Sequence, residues 1–563
     1  MRKSAIRLYG PFLAIATLQA LFIVAAPSKA PDRSAVSAAL GPVGSGQQGV
    51  VDPETGALID PTTGAVIDPA TGEAIDPATG APVSGSGGSG TGGTGGSAAA
   101  GDTSHCKGDR QFDVLLNNPR CVPKFTGDNG GATYQGVTDK EIKVVIFAAT
   151  PNAAVDAVLA PQGLAATEEE LAAMYDALYR FVHKRYELYG RKLNVIRYTG
   201  NCPTSPPQPE SCKEAAREVI KMKPALVVWG TPLYAEVFDE WARAGIPSIG
   251  GWHFDESYFT QRRPYRYDVF MDGTRSVQLV GEYYCKKMAG KPADHAGVQI
   301  HPTIGGRNTP RKVVIVTPEI DANVRTAQTL RDIIAGCDGG KKPLIITYES
   351  NIERANEQTE ATVNKMITEK VTTAICLCDP IAPVFFTSYL TKQGYFPEHL
   401  MSGTGLLDYD LLGRLYDPAQ WDHAFGPSHL QEPIEFSEQD QSRVWRDVNG
   451  NNGRPCNSCG LPTAYYLLMA SIIHHAGPNL NPLTIEQAIL NLQPYGGDRP
   501  GTVLVKFGPG DYTALSDARE VYWDANRVST IDGRPGSYQA LDGSRRYEIG
   551  EWRSGLTIPV KSK

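Results

Sequence analysis

The sequence predicts an α/β protein of two doubly wound lobes, and three observations carry that prediction. The first is Met222–Trp252, where the short apolar run Ala225–Trp229 ends at Gly230 and gives way to apolar residues at helical spacing, Leu233, Val237, Trp241 and Ala244. Pro232 suits a first helical position, where a missing N–H costs little, and Gly245 stops the helix before a second strand at Ile246–Ile249. Strand, helix and strand this close together make a parallel βαβ unit. The second observation is that the same pattern precedes this unit, and the third is that it restarts after Lys312.

Taken in order, Ile142–Ala149 reads as a buried strand and Glu168–Tyr189 as a helix with Leu171, Met174, Leu178, Phe181 and Val182 on one face. Leu193–Tyr198 is the next strand and Glu210–Met222 the next helix. Phe259–Gly273, rich in Tyr and Arg, leads to the opening helix of the second lobe, Ser276–Lys287. There Lys312–Thr317, Leu344–Tyr348, Thr373–Cys378 and Leu400–Ser402 read as strands, with helices at Asn323–Ala335, Glu357–Glu369 and Pro383–Gln393. Leu461–Ala476 and Thr484–Leu492 are further helices, and Thr502–Phe507 and Val521–Asp524 closing strands. In open sheets of this kind ligands collect at the carboxyl ends of the strands, which points to the loops Gly230–Tyr234 and Gly250–Tyr258.

The chain has 563 residues and a formal charge of -7, which excludes a broadly basic binder of nucleic acid. Arg2, Lys3 and Arg7 precede the apolar run Leu8–Ala26, the shape of an export signal, so residues 1–30 are a signal peptide or an N-terminal membrane anchor. Ser28-Lys29-Ala30 has the form of a cleavage site but Pro31 hinders it, and the run is close to the ~20 residues that span a bilayer. Both outcomes stay open. Residues 31–104 read as disordered: Asp52-Pro53-Glu54-Thr55-Gly56 recurs in frame at Asp60, Asp68 and Asp76, an eight-residue repeat, and a Gly/Ser/Thr tract follows. One acid per copy is few for calcium, which takes about six to eight oxygens, so a spacer on the order of 40 Å long is the reading taken.

Ten cysteines in an exported chain point to disulfides. Cys106/Cys121, in a loop-rich segment at 105–136, and Cys202/Cys212 are close in sequence; Cys285 and Cys337 each end a predicted helix. Cys376, Cys378, Cys456 and Cys459 read as oxidised pairs of undetermined connectivity, with a four-thiolate zinc site as the alternative. A G-x-S-x-G outside the linker, an H-E-x-x-H and a G-x-x-x-x-G-K are all missing. His474-His475 sits in an apolar helix without a spaced acidic partner, and the near neighbours Asp408 and Asp410 mark nothing alone. Neither an enzyme nor a resident cofactor or metal is expected.

Several stretches resemble the type I periplasmic-binding proteins, the solute-binding components of ABC transporters typified by branched-chain amino-acid uptake. They are Gly136-Val137-Thr138-Asp139-Lys140-Glu141-Ile142-Lys143, Gly245-Ile246-Pro247-Ser248-Ile249, Gly290-Lys291-Pro292-Ala293 and Arg311-Lys312-Val313-Val314. Gly394-Tyr395-Phe396-Pro397-Glu398 and Gln420-Trp421-Asp422-His423-Ala424-Phe425-Gly426 complete the set, in order from about Val137 to the C-terminus. The resemblance implies two Rossmann-like lobes joined by three crossovers, near Tyr267, Phe425 and Pro500. Lobe one would comprise residues 137–268 and 428–500, and lobe two residues 269–427 and 501–563. Ligand would be held between them, and hinge closure would present it to an ABC permease.

Carried onto this chain, the resemblance places lobe-one contacts at Thr150, Asn152, Thr231, Tyr234, Trp252 and Phe254, and lobe-two contacts at Asp321, Asp379 and Thr404. Thr404 stands about where amino-acid binders place an acid, and the aromatic residues suit a flatter or more apolar ligand than an amino acid or amide. Asp321 and Asp379 also fit as helix N-caps. The chain departs from the family in having no lipobox cysteine, in its long spacer, and in Asp321-Ala322-Asn323 where Asp-Tyr-Gly is common. Delivery to an importer is therefore one expectation, and a membrane-anchored sensor or surface-binding module with the same lobes is the other. Either implies an extracytoplasmic location, at the cell surface or released.

Overall fold

The computed structural model describes residues 101–563, apart from 204, 230–233, 252–253, 451–452, 454, 493, 498–500, 509, 556–557 and 560–563, together with four two-residue strands in the repeat. The chain divides into two compact units, Met1–Ala98 and Ala99–Lys563. In the first, the apolar pair before each Asp-Pro forms a two-residue strand: β1 (Val50–Val51), β2 (Leu58–Ile59), β3 (Val66–Ile67) and β4 (Ala74–Ile75). They pair in an antiparallel meander, so the expectation of a structureless repeat is corrected at these positions. Strands this short carry no readable alternation in the sequence.

The second unit holds two α/β sheets. The first comprises β5 (Glu141–Ala148), β6 (Lys192–Thr199), β7 (Leu226–Trp229), β8 (Ser248–Ile249) and β9 (Arg266–Tyr267), in the order β6-β5-β7-β8-β9 and all parallel. Its longest helix, Glu168–Arg185, starts in a capping box between Thr167 and Glu170, with acids in its first turn and bases in its last, both matched to the helix dipole. Phe112, from the stretch stapled by Cys106–Cys121, packs edge-on against Phe181 and Tyr186 of this lobe.

A small hairpin follows, β10 (Gln299–His301) with β11 (Gly305–Gly306). The second sheet then uses β12 (Val313–Pro318), β13 (Leu344–Tyr348), β14 (Thr373–Cys376), β15 (Glu398–Met401) and β16 (Ala424–Ser428), parallel in the order β13-β12-β14-β15-β16. After the short pair β17 (Tyr495–Gly496) and β18 (Leu504–Val505), strand β19 (Ala518–Val528) joins the second sheet antiparallel to β16. It is followed there by β20 (Pro535–Ala540) and β21 (Arg546–Tyr547).

Connectivity follows from these memberships. β9 closes the first sheet, and the next helix, Gly273–Lys287, packs on Asp321–Cys337 of the second lobe. β16 lies in the second sheet, and the Asp440–Asn449 helix after it packs back on Glu168–Arg185. The Gly460–Ala476 and Pro482–Leu490 helices stay with the first lobe before β19 returns to the second. The sequence reading missed Ala153–Leu159, Asp440–Asn449 and β20, and it placed the first turn of the Ala235–Arg243 helix at Pro232, which lies outside the described residues.

At the first passage between sheets Asp268 is fully buried, and its Oδ1 accepts hydrogen bonds from the N–H of Val269 (2.7 Å) and Phe270 (3.3 Å) and from the Tyr465 hydroxyl (3.2 Å). Burial pushes its carboxyl up to about 7 despite those bonds. The native state therefore holds a proton that the unfolded chain gives up near pH 4. The resulting stability is full below pH 4 and is lost as pH rises through 7. The melting point of wild type is expected to fall relative to Asp268→Asn between pH 4 and 7, by up to about 1.4 kcal/mol per pH unit in differential stability, and a pH-independent difference would refute this.

Candidate functional site

Both sheets reverse their strand order at the strand that starts them, β5 and β12, and crevices form beyond the carboxyl ends at such points. Here the two crevices share one cavity of about 850 Å³. Thr150 and Asn152 after β5 and Ser205 after β6 line it from the first lobe, as do Leu467 and Leu468 from the Gly460–Ala476 helix. Tyr348 at the end of β13, Asp379 after β14, Phe386 and Leu412 line it from the second. The lobes also touch. Arg325 pairs with Asp255 at 2.6 Å, and the Ile352 N–H donates to Ser205 Oγ at 2.8 Å. Leu159 and Leu164, beside the short Ala153–Leu159 helix, pack against the second-lobe cluster of Met401, Leu407 and Trp421.

The residues expected at the site divide three ways. Thr150, Asn152 and Asp379 line the cavity, and each is held by its surroundings. The Thr150 hydroxyl donates to Gly200 O (3.0 Å) and accepts from the Cys202 N–H (2.8 Å). Asn152 caps the Ala153–Leu159 helix and donates to Ser205 O. Asp379 Oδ1 accepts the N–H groups of Ile381 and Ala382, capping the Ala382–Lys392 helix, and Oδ2 accepts the Tyr348 hydroxyl at 2.7 Å. Burial, reinforced by this carboxylate, holds the Tyr348 phenol well above its usual range.

Tyr234, Phe254, Asp321 and Thr404 are not among the lining residues. Tyr234 is buried with its hydroxyl on Pro203 O, and Phe254 packs edge-on between Phe238 and Tyr258, so the core takes these rings instead of the cleft. Thr404 is buried against the Ser402 hydroxyl, and Asp321 is an exposed first residue of its helix, with Ile320 at the cap. Thr231 and Trp252 lie outside the described residues.

Two of the lining acids stand out: Asp408, which marked nothing in the sequence alone, and Asp440, which the sequence reading passed over. Asp408 is 1% exposed; Oδ2 accepts from the Ser428 hydroxyl (2.7 Å) and the Leu430 N–H (3.3 Å), whereas Oδ1 has no hydrogen-bond partner. Burial raises its carboxyl above the usual range, outweighing those two bonds. Asp440 accepts the Leu116 N–H at 2.8 Å, and burial pushes it up to about 6. No local pattern marks either residue, since their burial depends on segments far away in sequence.

All ten cysteines are paired: Cys106–Cys121, Cys202–Cys212, Cys285–Cys337, Cys376–Cys378 and Cys456–Cys459. The zinc alternative for the last four is thereby corrected, because bonded sulfurs are not thiolate ligands. The same holds for His105, Cys106 and Cys121, whose ligand atoms lie within 4.8 Å of one another. No helix among the described residues is long and apolar enough to cross a membrane, and the apolar run at 8–26 lies outside them.

No protein-family model matches this sequence, and no curated protein does. Solved structures do match. A fatty acid ABC transporter substrate-binding protein from Thermomonospora curvata superposes with a TM-score of 0.50 at 16% identity, over 76% of this chain and 99% of its own. The fold is that of the type I periplasmic-binding proteins. An ABC transporter substrate-binding protein from Aeropyrum pernix has the same TM-score at 12% identity, over 73% of this chain and 96% of its own. Within the type I periplasmic-binding fold the cavity between the sheets lies where the two lobes face each other.

Proposed function

We propose that this protein is an extracytoplasmic solute-binding protein that captures a small, mainly apolar molecule between its lobes and hands it to an ABC importer. The observation that carries this reading is the cavity itself: about 850 Å³, walled from both lobes, and lined by Leu159, Leu164, Leu467, Leu515 and Phe386 among other apolar side chains. A volume of this size suits a drug-sized ligand held mainly by apolar area. Only the closed arrangement brings both walls onto the ligand, so the ligand stabilises closure by its differential contacts. The Asp255–Arg325 pair and the Ser205–Ile352 hydrogen bond already join the lobes at the rim. The neutral dye N-phenyl-1-naphthylamine, which fluoresces in apolar surroundings, tests the reading. The full chain is expected to bind it saturably, and Ala165→Trp or Ala382→Trp, filling the cavity from one lobe or the other, to weaken binding at least tenfold (about 1.4 kcal/mol). Binding unchanged in both variants would place the dye elsewhere and remove the support.

A further inference from the structure

The charge lining this cavity is of one sign. Among the described residues that line it there is no Lys, Arg or His, whereas seven acids do: Asp156, Glu168, Glu349, Asp379, Asp408, Glu432 and Asp440. Some are already answered: Glu168 by Arg197 at 2.6 Å, Glu349 by Arg354 at 2.7 Å, and Asp379 by the bonds described above. Asp408 is different. It is 1% exposed, one oxygen is unpartnered, and Arg519 acts on it at a distance without closing an ion pair. Asp440 lies against the same cavity, held by one backbone N–H.

We propose that the captured molecule is an apolar amine, an alkyl or ring body with one protonated nitrogen, whose ammonium is drawn to the Asp408 and Asp440 carboxylates. This rests on the solute-binding reading above and names its ligand class. A carboxylate ligand finds no cation among the described lining residues to offset its desolvation, and it meets like charge in a low-dielectric space. An ammonium meets Asp408, buried without an ion-pair partner, and the half-buried Asp440, on which Arg443 acts without closing an ion pair, and its alkyl part covers the leucines around them. The raised carboxyls of both acids fit this arrangement, because a bound cation favours their ionised form.

The test is displacement of N-phenyl-1-naphthylamine from the full chain at pH 7 by three ten-carbon homologues, decylamine, 1-decanol and decanoate, each below its micelle concentration. Decylamine is expected to displace the dye at a concentration at least tenfold below that of decanoate and severalfold below that of decanol. Asp408→Asn or Asp440→Asn is expected to bring the amine to the level of the alcohol while leaving the alcohol unchanged. Decanoate matching or surpassing decylamine, decanol matching it, or a preference for the amine that survives both substitutions would each overturn the proposal while leaving apolar capture intact. Dye that is not held at all, or that none of the three displaces, would overturn capture as well. The comparison among homologues uses wild-type protein, so it decides the matter even where a substitution impairs folding.

Discussion

Glu398→Gln is expected to destabilise the protein by about 3–5 kcal/mol, the cost of leaving one partner of a buried ion pair without the other. Arg311 and Glu398 are 1% and 0% exposed and meet at 2.6 Å. Both side chains make further hydrogen bonds: Glu398 also accepts from the Thr373 hydroxyl (2.6 Å) and the His295 N–H (3.2 Å), and Arg311 donates to the carbonyls of Met288 and Lys291. Burial works against the guanidinium charge, but Glu398 outweighs it and holds Arg311 above its usual range. Gln keeps the shape and removes the charge, so the cation stays buried with carbonyls alone. Urea denaturation of the full chain measures the loss. The paired replacement Arg311→Met with Glu398→Leu should recover most of it, since an apolar pair carries no desolvation cost; a loss below about 1 kcal/mol for the single variant would mean the pair is solvated in solution.

The second large effect concerns the bridge from Cys285 to Cys337, which ties the end of the Gly273–Lys287 helix to the end of Asp321–Cys337 across 52 positions. Closing a loop of that length removes enough unfolded-state entropy to stabilise the fold by about 4 kcal/mol on the chain-entropy view. Cys285→Ala with Cys337→Ala should lose that amount. Removing Cys376–Cys378 or Cys456–Cys459, separated by 2 and 3 positions, should cost markedly less because the loops are so short. Melting points of the three double variants give the ranking. Equal losses would show that packing around the sulfurs dominates over loop length.

The architecture was readable where local signals agree with tertiary ones. Gly245, the spacing of Val237 and Trp241, and the apolar run before them mark a βαβ unit that the structure contains, with Val237 and Trp241 fully buried. The Glu168 helix was readable because Met174, Leu178, Phe181 and Val182 fall on one face, and the structure buries all four. The Ala153–Leu159 helix was not, since it is short, apolar at every position but Asp156 and so without a polar face to give it a period, and none of its residues is buried. The site was only partly legible. The family resemblance pointed to Thr150, Asn152 and Asp379, which line the cavity, but whether an aromatic ring faces ligand or core depends on neighbours distant in sequence. Phe254 meets Phe238, and Tyr234 meets Pro203. Asp408 and Asp410 looked like an ordinary loop pair, yet both are buried, Asp410 accepting from the Ser529 hydroxyl and the Tyr538 N–H contributed by the C-terminal strands.

Capture by hinge closure is tested most directly by a distance measured across the cleft in solution. Spin labels on p-acetylphenylalanine introduced at the exposed positions Glu169 and Glu353, one on each lobe, leave the five disulfides untouched. Pulsed electron resonance on the full chain then gives the label-to-label distance with and without saturating N-phenyl-1-naphthylamine. A population shift to a shorter, narrower distance on adding the dye is the predicted result. An identical distribution in both samples, with the dye demonstrably bound, would contradict it.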